Sequence, residues 1–394
     1  MIKKLLYLSF LCFVINNTAQ NAQLSAYAEI SIITSGPGEN LYEKFGHTAI
    51  RVKDPLLNLD VLYNYGIFDF NDPNFYSNFV KGFMKYKLAR YPFHYSLKSA
   101  SQDKRWVKQQ VLNLTAQQKN AYFQFLERNT QPENASYFYD PFFDNCATRP
   151  KDILKDILKD KLTFDTSILD QERSLRDLMN EKINTNTWGS FGINIALGSR
   201  LDQIATVEEY MYLPEYLFSI FEKSTVKKDG ESAPLVRGTK TLLDFKTKTS
   251  ESDSISPFLI FSILLIITIL ISLNDFKKHK RTRILDFILF LTTGIMGILI
   301  VFLWFFTNHS TAPNNFNFLW AFAPNFFIAF LLLKKNLHPW IKHYLILVLA
   351  FLGLIPIVTL IGLQKFTHPL YPLLLLLAVR YIFLIKHQKN KALA

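Results

Sequence analysis

The stretch Phe143-Asp144-Asn145-Cys146-Ala147-Thr148-Arg149-Pro150 places a cysteine directly before a strongly amphipathic segment. That segment, residues 151–158, carries apolar side chains at the spacing that puts them on one face of a helix. Asp and Asn favour the N-cap position, which predicts a helix beginning beside the cysteine. The proline favours the first helical position instead, which leaves the cysteine in the preceding turn. Both starting points stay open, a kinked helix from Asn145 or a helix from Pro150.

This cysteine stands alone in the expected mature chain. The other cysteine, Cys12, lies in the apolar run Leu5–Ile15, which follows a basic start and precedes a plausible cleavage site, Asn17-Thr18-Ala19. These are the proportions of a secretory signal peptide, so we expect residues 1–19 to be removed rather than kept as an anchor. A single remaining thiol cannot form an internal disulfide. It is therefore a buried inert residue, an intermolecular bridge or a nucleophile.

Hydropathy divides the chain near residue 257. From that point the sequence is a series of long apolar blocks, each of the length needed to cross the hydrocarbon core of a bilayer. We expect an all-α transmembrane domain over residues 257–394. Its five helices are predicted near 257–273, 284–306, 315–333, 343–363 and 369–385.

The positive charges predict the orientation of these helices. Lysine and arginine cluster after the first, third and fifth blocks, whereas the other two loops carry only Lys365. By the positive-inside rule the clusters face the cytoplasm, as does the C-terminus, and the part of the chain before the first block faces outward. Membrane topology thus explains the net charge of +12, and nucleic-acid binding is not indicated.

Strands precede helices in the outward part, residues 20–221, which predicts an α+β domain. Phe75–Tyr86 is a candidate aromatic helix, and a capping box at Thr115 predicts another helix. Residues 222–256 are polar and charged, so we expect a linker to the first membrane helix. The predicted strands are short and rich in β-branched and aromatic residues: Ala28–Thr34, Thr48–Val52 and Leu59–Tyr65.

A cysteine nucleophile needs a base, and histidine is the usual one. Two histidines precede the expected linker in the outward domain, His47 and His94. His47 follows Gly46 at the mouth of a predicted strand and is our candidate base, with a structural histidine as the alternative. His94 lies among aromatic residues and is expected to serve packing. A thiol at a helix N-terminus also has its pKa lowered by the helix dipole and by free N–H groups.

Gly46-His47 at a strand, followed far downstream by Asn145-Cys146 before a helix, resembles the circularly permuted papain-like (NlpC/P60-like) enzymes. More closely, the chain resembles the Bacteroidota lipoprotein N-acyltransferase family, Lnb. Its members pair a periplasmic thiol domain with a multi-helix membrane domain, so the resemblance covers nearly the whole mature chain. The matching stretches are Phe45-Gly46-His47-Thr48, Tyr63-Asn64-Tyr65-Gly66, Asp144-Asn145-Cys146 and Leu213-Pro214-Glu215-Tyr216-Leu217.

The resemblance implies a papain-like domain in the periplasm, held on the bacterial inner membrane, with Cys146 as acyl-accepting nucleophile and His47 as base. In such folds the residue that orients the histidine comes from the following strand. This points to Asn64, whose amide can hold the imidazole tautomer, with a simple turn asparagine as the alternative. Arg51 and Arg149 are candidates for binding a lipid phosphate, or else solvated surface residues.

The implied reaction moves a fatty acyl chain from a phospholipid, through a cysteine thioester, to the α-amine of a diacylated lipoprotein. No cofactor or metal is expected. Two other hypotheses remain, a membrane-tethered NlpC/P60-like peptidase or amidase acting on cell-wall peptides, and a non-enzymatic receptor or assembly factor. A short distance between His47 and Cys146 in the folded chain favours either enzyme over the third hypothesis.

Overall fold

The computed structural model describes residues 23–69, 71–167, 172–228, 230–247 and 252–393. The expected signal peptide, residues 1–19, lies outside the described residues. Strands and helices mix in the first part of the chain, and long helices follow from Pro257. The predicted order of an α/β part followed by a helical part is therefore confirmed.

A seven-stranded antiparallel sheet, in the order β10-β5-β1-β2-β3-β4-β6, forms the centre of the N-terminal domain. The three predicted strands are its β1, β2 and β3, and a smaller sheet contains β7, β8 and β9. The strands are β1 (Glu29–Ser35), β2 (His47–Asp54), β3 (Leu59–Ile67), β4 (Lys85–Pro92), β5 (Val107–Leu112), β6 (Ser136–Phe138), β7 (Leu162–Thr163), β8 (Thr225–Lys228), β9 (Glu231–Pro234) and β10 (Val236–Leu243).

Helices cover both faces of the sheet. Successive residues of a strand point to opposite sides, so one strand contributes side chains to the core on each face. Ile32 belongs to the large apolar core shared with Leu154, whereas Ile33 belongs to a smaller core with Phe93. The helices of the N-terminal domain are α1 (Phe75–Lys81), α2 (Phe93–Gln102), α3 (Ala116–Asn129), α4 (Thr148–Leu158), α5 (Leu175–Lys182), α6 (Trp188–Ala196), α7 (Val207–Tyr210) and α8 (Pro214–Lys223). The larger core packs α3, α4, α5 and α8 on the sheet, and the smaller core packs α2.

The prediction of a linker over residues 222–256 is wrong for most of that segment. Strands β8, β9 and β10 lie within it, and β10 pairs with β5 as the edge strand of the large sheet. Val226 and Leu235 are fully buried there, so the segment contributes to the core. The exposed Thr239-Lys240-Thr241 stretch gave it a linker-like composition. Lysine is common on exposed edge strands because it discourages pairing with other chains.

In the described part of the chain, four helices are long and apolar enough to cross a membrane. They match the first, second, fourth and fifth predicted spans. With the short helix between them, the helices of this domain are α9 (Pro257–Lys277), α10 (Arg283–Phe305), α11 (Asn325–Leu332), α12 (Trp340–Leu360) and α13 (Leu370–Leu393).

The third predicted span, 315–333, is not one continuous helix. It consists of a 3₁₀ turn, Phe316–Leu319, an irregular stretch and the eight-residue α11. At about 1.5 Å per residue, α11 covers roughly 12 Å, well short of the ~30 Å hydrocarbon core. Pro324 precedes α11 and prevents the helix from extending backwards. Such irregular backbone is tolerated at membrane depth where protein surrounds it.

The N-terminal domain is fastened to one end of the helical domain. Phe191 and Ile195 of α6 share an apolar cluster with residues of the membrane helices. The Asn315 side-chain amide donates to the Ile195 carbonyl oxygen over 2.7 Å. The backbone N–H of Gly198 donates to the Thr311 carbonyl oxygen over 2.8 Å. Polar backbone and side-chain groups thus join the two domains around an apolar contact.

Candidate active site

Cys146 lies in the turn directly before α4, which begins at Thr148. The Asn145 side-chain oxygen accepts hydrogen bonds from the backbone N–H groups of Ala147 (2.8 Å) and Thr148 (3.0 Å). Asn145 therefore caps the helix, as its residue type predicts. Pro150 lies in the first turn, where backbone N–H groups have no acceptor within the helix, so a proline there costs no helical hydrogen bond. The helix therefore begins two residues after the cysteine, between the two starting points that the sequence left open.

The cap also fixes the turn to the rest of the domain. The Asn145 amide donates to the carbonyl oxygens of Pro141 (2.7 Å) and Tyr212 (2.9 Å). Its backbone N–H donates to the Thr148 hydroxyl over 2.7 Å. Every polar group of this buried side chain has a partner, so the position of the neighbouring Cys146 is held tightly.

His47 begins β2 and Asn64 lies on the adjacent β3. The two strands pair from Asp54–Leu59 up to Ile50–Tyr63, and both polar residues lie just beyond the last pair. Gly46 turns the chain into β2 with a φ of +77°, and a Cβ at this position would lie 2.8 Å from the Ser35 carbonyl oxygen. Glycine is therefore required where the histidine enters the sheet.

The side chains of His47 and Asn64 are in direct contact. Nε2 of His47 lies 2.6 Å from Oδ1 of Asn64, and the Asn64 amide nitrogen donates to the Tyr91 hydroxyl over 2.8 Å. Because Asn64 presents its oxygen, Nε2 must carry the proton and donate it. This leaves Nδ1 of His47 to exchange a proton with the thiol. The asparagine thus holds the tautomer that a general base requires.

His47 and Cys146 are both in the interior of the N-terminal domain, where each acts on the pKa of the other. Burial opposes the charged form of each group, yet the pair overcomes it. The negative charge and hydrogen bond of Cys146, with the hydrogen bond of Asn64, raise the pKa of His47 above its usual value of 6.5. The His47 charge and hydrogen bond, with the backbone N–H groups of Thr48 and Cys146, lower the pKa of the thiol below 9.0. The arrangement favours a thiolate–imidazolium pair.

Three neighbours of the thiol carry no obvious signal in the sequence. Gly66, with a φ of +94°, lies at an irregularity of β3, where a Cβ would be 3.9 Å from Cβ of Cys146 and 3.5 Å from the Tyr139 ring. The Tyr137 hydroxyl is buried and has no hydrogen-bond partner among the described residues. The thiolate charge raises the pKa of both tyrosines, after the larger effect of burial. A glycine inside a strand was the one available hint, since it often marks a bulge or a close approach.

The two candidate phosphate-binding arginines already have partners. Arg51 forms an ion pair with Asp60 at 2.7 Å and stacks on Phe93, on the sheet face that α2 covers. Arg149 pairs with the Asp144 carboxylate through both oxygens and lies over the Tyr137 ring at 4.2 Å. Arg149 therefore borders the thiol site, whereas Arg51 belongs to the opposite face. His94 is exposed and touches only the neighbouring ring of Tyr95 among its described ring contacts.

The thiol turn is attached to a loop of the membrane domain. Asp140, which begins this turn, accepts a hydrogen bond from the Ser310 hydroxyl. Its carboxylate also accepts from the backbone N–H groups of Phe142 (2.9 Å) and Phe143 (3.0 Å). The loop that contains Ser310 follows α10 directly. The turn that carries Cys146 is therefore fastened to a loop of the membrane domain.

Comparison with known proteins gives two family matches. The model of the Lnb N-terminal periplasmic domain matches residues 17–180, and the model of the Lnb transmembrane domain matches residues 249–392. No curated protein and no solved structure matches the chain. Both matches name the same family and fall in the order of the two structural parts. The chain therefore belongs to the Lnb family, with an N-terminal periplasmic domain followed by a transmembrane domain.

Proposed function

We propose that this protein transfers a fatty acyl chain from a phospholipid, through a thioester on Cys146, to the α-amine of a lipoprotein's N-terminal cysteine. Membership of the Lnb family suggests a lipoprotein N-acyltransferase. The observation that carries the proposal is a buried thiol that interacts with a histidine oriented by an asparagine, in a turn fastened to a loop of the membrane domain. Lipid esters are the acyl donors available at that surface.

In the first half of the reaction, Nδ1 of His47 holds the thiol proton and the Cys146 thiolate attacks the ester carbonyl carbon. A carbon–sulfur bond forms and a tetrahedral oxyanion results. The oxyanion collapses by breaking the carbon–oxygen bond to glycerol. His47 gives its proton to the departing oxygen, so a lysophospholipid leaves and the acyl group stays on sulfur.

In the second half, the neutral α-amine of the lipoprotein attacks the thioester carbonyl. A carbon–nitrogen bond forms, the carbon–sulfur bond breaks, and the amide is released. His47 accepts the proton that the amine loses, which restores the thiolate–imidazolium pair. Cys146 is only 7% exposed, and this burial limits the access of water that would hydrolyse the thioester.

Two hydrogen-bond donors next to the sulfur are suited to stabilise the oxyanion. The backbone N–H of Cys146 is one of the groups that lower the pKa of the thiol. The buried Tyr137 hydroxyl lacks a partner among the described residues, so it can donate to a substrate oxygen without giving up another bond. Preorganised donors of this kind are often the largest contribution to acyl-transfer rates.

The permuted papain-like assignment is part of this proposal. Its support is the placement of Cys146 before a helix that packs on the sheet, with His47 and Asn64 on neighbouring strands earlier in the chain. We also propose an inner-membrane location and a cytoplasmic C-terminus. The N-terminal domain contacts the loops after α10 and α12, whereas the lysine- and arginine-rich segments follow α9 and α11 and form the C-terminal end of α13.

The test is mass spectrometry of lipoprotein N-termini from cells that carry the wild-type chain or its variants as the sole copy. Cys146→Ala and His47→Ala are expected to abolish the third acyl chain, whereas His94→Ala, an exposed histidine on the other face, leaves it intact. Unchanged triacylation in Cys146→Ala would refute the proposal. Labelling of Cys146 by a cell-wall peptide probe and not by a lipid-ester probe would favour the peptidase instead.

A further inference from the structure

A continuous series of aromatic rings leads from the thiol to a loop of the membrane domain. The Tyr139 ring, which lies beside Cys146 across Gly66, stacks on Tyr86 with 4.5 Å between ring centroids. Phe68 follows, 5.0 Å from Tyr86. The remaining members of the aromatic series are Phe75, 5.7 Å from Phe68, Phe79, 6.4 Å from Phe75, and His309, 6.5 Å from Phe79.

The rings become more exposed along this aromatic series. Tyr86 is half-buried beside the thiol site, whereas Phe79 on α1 is 49% exposed. The surface around Phe79 is apolar as well, because Tyr76, Val80 and Phe83 are also exposed. A soluble surface rarely displays so many large apolar side chains together, and such patches commonly mark contact with a membrane or a partner.

The end of α1 is attached to the loop that follows α10. The backbone N–H of Asn308 donates to the Lys81 carbonyl oxygen over 2.9 Å, and a Cβ on Gly82 would lie 2.7 Å from the His309 nitrogen. Just before this loop, the end of α10 presents Phe305 and Phe306, both largely exposed. These two rings belong to a membrane-spanning helix, so they face lipid. The apolar face of α1 therefore continues the lipid-facing surface of the membrane domain.

Charge agrees with this placement. The exposed Lys81 and Lys85 lie at the end of α1 that touches the membrane loop, whereas the exposed Asp69 and Asp72 precede the helix at its other end. Lysines next to a bilayer are attracted to anionic lipid headgroups. An aromatic helix with a basic end is typical of segments that lie in the membrane interface.

We propose that α1 lies in the periplasmic leaflet and that the aromatic series from Phe79 to Tyr139 binds the acyl chain of a membrane lipid on its way to Cys146. The occupant is a lipid of the same membrane. Its role as acyl donor rests on the proposed function, whereas the contact of α1 with the bilayer does not. Each additional methylene group buried against the rings strengthens binding, so long chains are favoured over short ones.

The first experiment measures membrane contact in an inactive background. The full chain, with Cys12 and Cys146 both replaced by alanine, receives a single cysteine at position 79, is labelled with bimane and is reconstituted into vesicles containing brominated phosphatidylcholine. The matched control is Leu56→Cys, at a still more exposed apolar residue (66% against 49% for Phe79) in the β2–β3 turn at the far end of β2 from His47. Strong quenching at position 79 with little at position 56 is expected. Equal quenching at both positions would overturn the membrane contact.

The second experiment measures the acyl path without requiring the transfer reaction. Cys146 in the reconstituted full chain is alkylated with iodoacetamide or with N-hexadecyl iodoacetamide. Phe75→Ser is expected to slow the hexadecyl reagent about tenfold, roughly the loss of two buried methylene contacts, and to leave the iodoacetamide rate unchanged. Tyr95→Ser, which removes an exposed ring on α2, should change neither rate. An unchanged ratio of the two rates in Phe75→Ser would overturn the path.

A fall in both rates would mean that Phe75→Ser disturbs the thiol site. In that event the same two rates are measured on Phe79→Ser, at the exposed end of the aromatic series. An unchanged ratio of the two rates in that variant would overturn the path. These outcomes are distinguishable from failure of the proposed function. Loss of quenching and of chain-length preference, with triacylation still dependent on Cys146, refutes the path alone. Triacylation independent of Cys146, with quenching intact, refutes the function and leaves the membrane contact standing.

Discussion

At the scale of single residues, two opposing effects act on the pKa of the Cys146 thiol. Burial favours the neutral form, whereas His47 and two backbone N–H groups favour the thiolate. The second set prevails, so the pKa of Cys146 lies below 9.0 and that of His47 above 6.5. Each shift favours the charged form of its group, the thiolate of Cys146 and the imidazolium of His47. A buried cysteine can therefore be reactive when its charge partner is buried with it.

The alkylation rate of Cys146 is expected to rise with pH with its midpoint below 9.0, because the pKa of the thiol is lowered. In His47→Ala the burial penalty is no longer offset, so the pKa of the thiol should rise above 9.0. Because one pKa unit changes the thiolate fraction tenfold, the rate at neutral pH should fall by about tenfold or more. Rates with iodoacetamide from pH 5 to 10 on the full chain test this.

His94→Ala is the control for His47→Ala and should keep the wild-type pH profile. The pH profile of Asn64→Ala should lie between those of wild type and His47→Ala, because the imidazole keeps its charge but loses the hydrogen bond that fixes its tautomer. A His47→Ala profile identical to wild type would contradict the charged pair. In that case the thiol would owe its state to the backbone N–H groups alone.

Residue type alone singled out His47 and Cys146 as candidates, because thiol chemistry needs a cysteine and a base and few histidines and cysteines were available. Asn64 came from the family resemblance, since an asparagine before a glycine is equally typical of a turn. Tyr91, which holds the Asn64 amide, carried no signal, because its role depends on the pairing of β4 with β3. Side-chain partners across strands become visible only when the register is known.

At the scale of elements, the third membrane segment departs most from expectation. Its length and hydropathy resemble those of the other spans, so a hydropathy window does not separate it from them. What distinguishes it is close packing against α10. A Cβ on Gly294 would lie 2.1 Å from the Phe326 nitrogen, and one on Gly297 would lie 2.3 Å from the Ala321 carbonyl oxygen. Small residues let two backbones approach closely in a membrane, as they do here.

Gly294→Ala is therefore expected to destabilise the membrane domain by about 1–3 kcal/mol, because the added methyl group meets backbone that cannot rotate away. Gly353→Ala in α12 is the matched control, since nothing lies within 4 Å of a Cβ there. That change should be neutral or slightly stabilising, because alanine favours helix over glycine. Thermal unfolding of the two variants in the same detergent compares them. Equal melting temperatures would show that α11 is not packed against α10 in this way.

Strand β10 is the opposite case, an element that its composition did not predict. Its arginine, lysine and two threonines are typical of an edge strand and also of a linker, and the two differ only in whether a partner strand is present. That partner, β5, lies far away along the chain. Local patterns predicted β1, β2 and β3 because those strands are central and apolar. An edge strand with exposed side chains depends on a long-range partner that local patterns do not contain.

At the scale of the whole molecule, the position of the thiol depends on how the two domains meet. Gly198 lies at the centre of this contact, donating its N–H to the Thr311 carbonyl oxygen and accepting from Arg176 at 2.9 Å. Arg176 is itself buried in an ion pair with Asp202, whose carboxylate accepts from the Lys365 N–H. A chain of buried polar contacts thus links the N-terminal domain to two membrane loops. Buried networks of this kind are costly to disrupt in part.

Gly198→Ala should separate catalysis from thiol chemistry. A Cβ at this position would lie 1.9 Å from the Pro313 carbonyl oxygen, so the loop after α10 must move, at a cost of about 1–3 kcal/mol. Cys146, His47 and Asn64 all lie within the N-terminal domain and do not require this contact, so iodoacetamide should still alkylate Cys146 at the wild-type rate. Acyl loading of Cys146 from vesicle phospholipid, measured by intact-protein mass spectrometry, should fall severalfold because the sulfur is no longer held at the membrane surface. Gly192→Ala in α6, where a Cβ meets nothing within 4 Å, should leave both rates unchanged. Equal losses of alkylation and acyl loading in Gly198→Ala would mean instead that the contact supports the fold of the site rather than its place above the lipid.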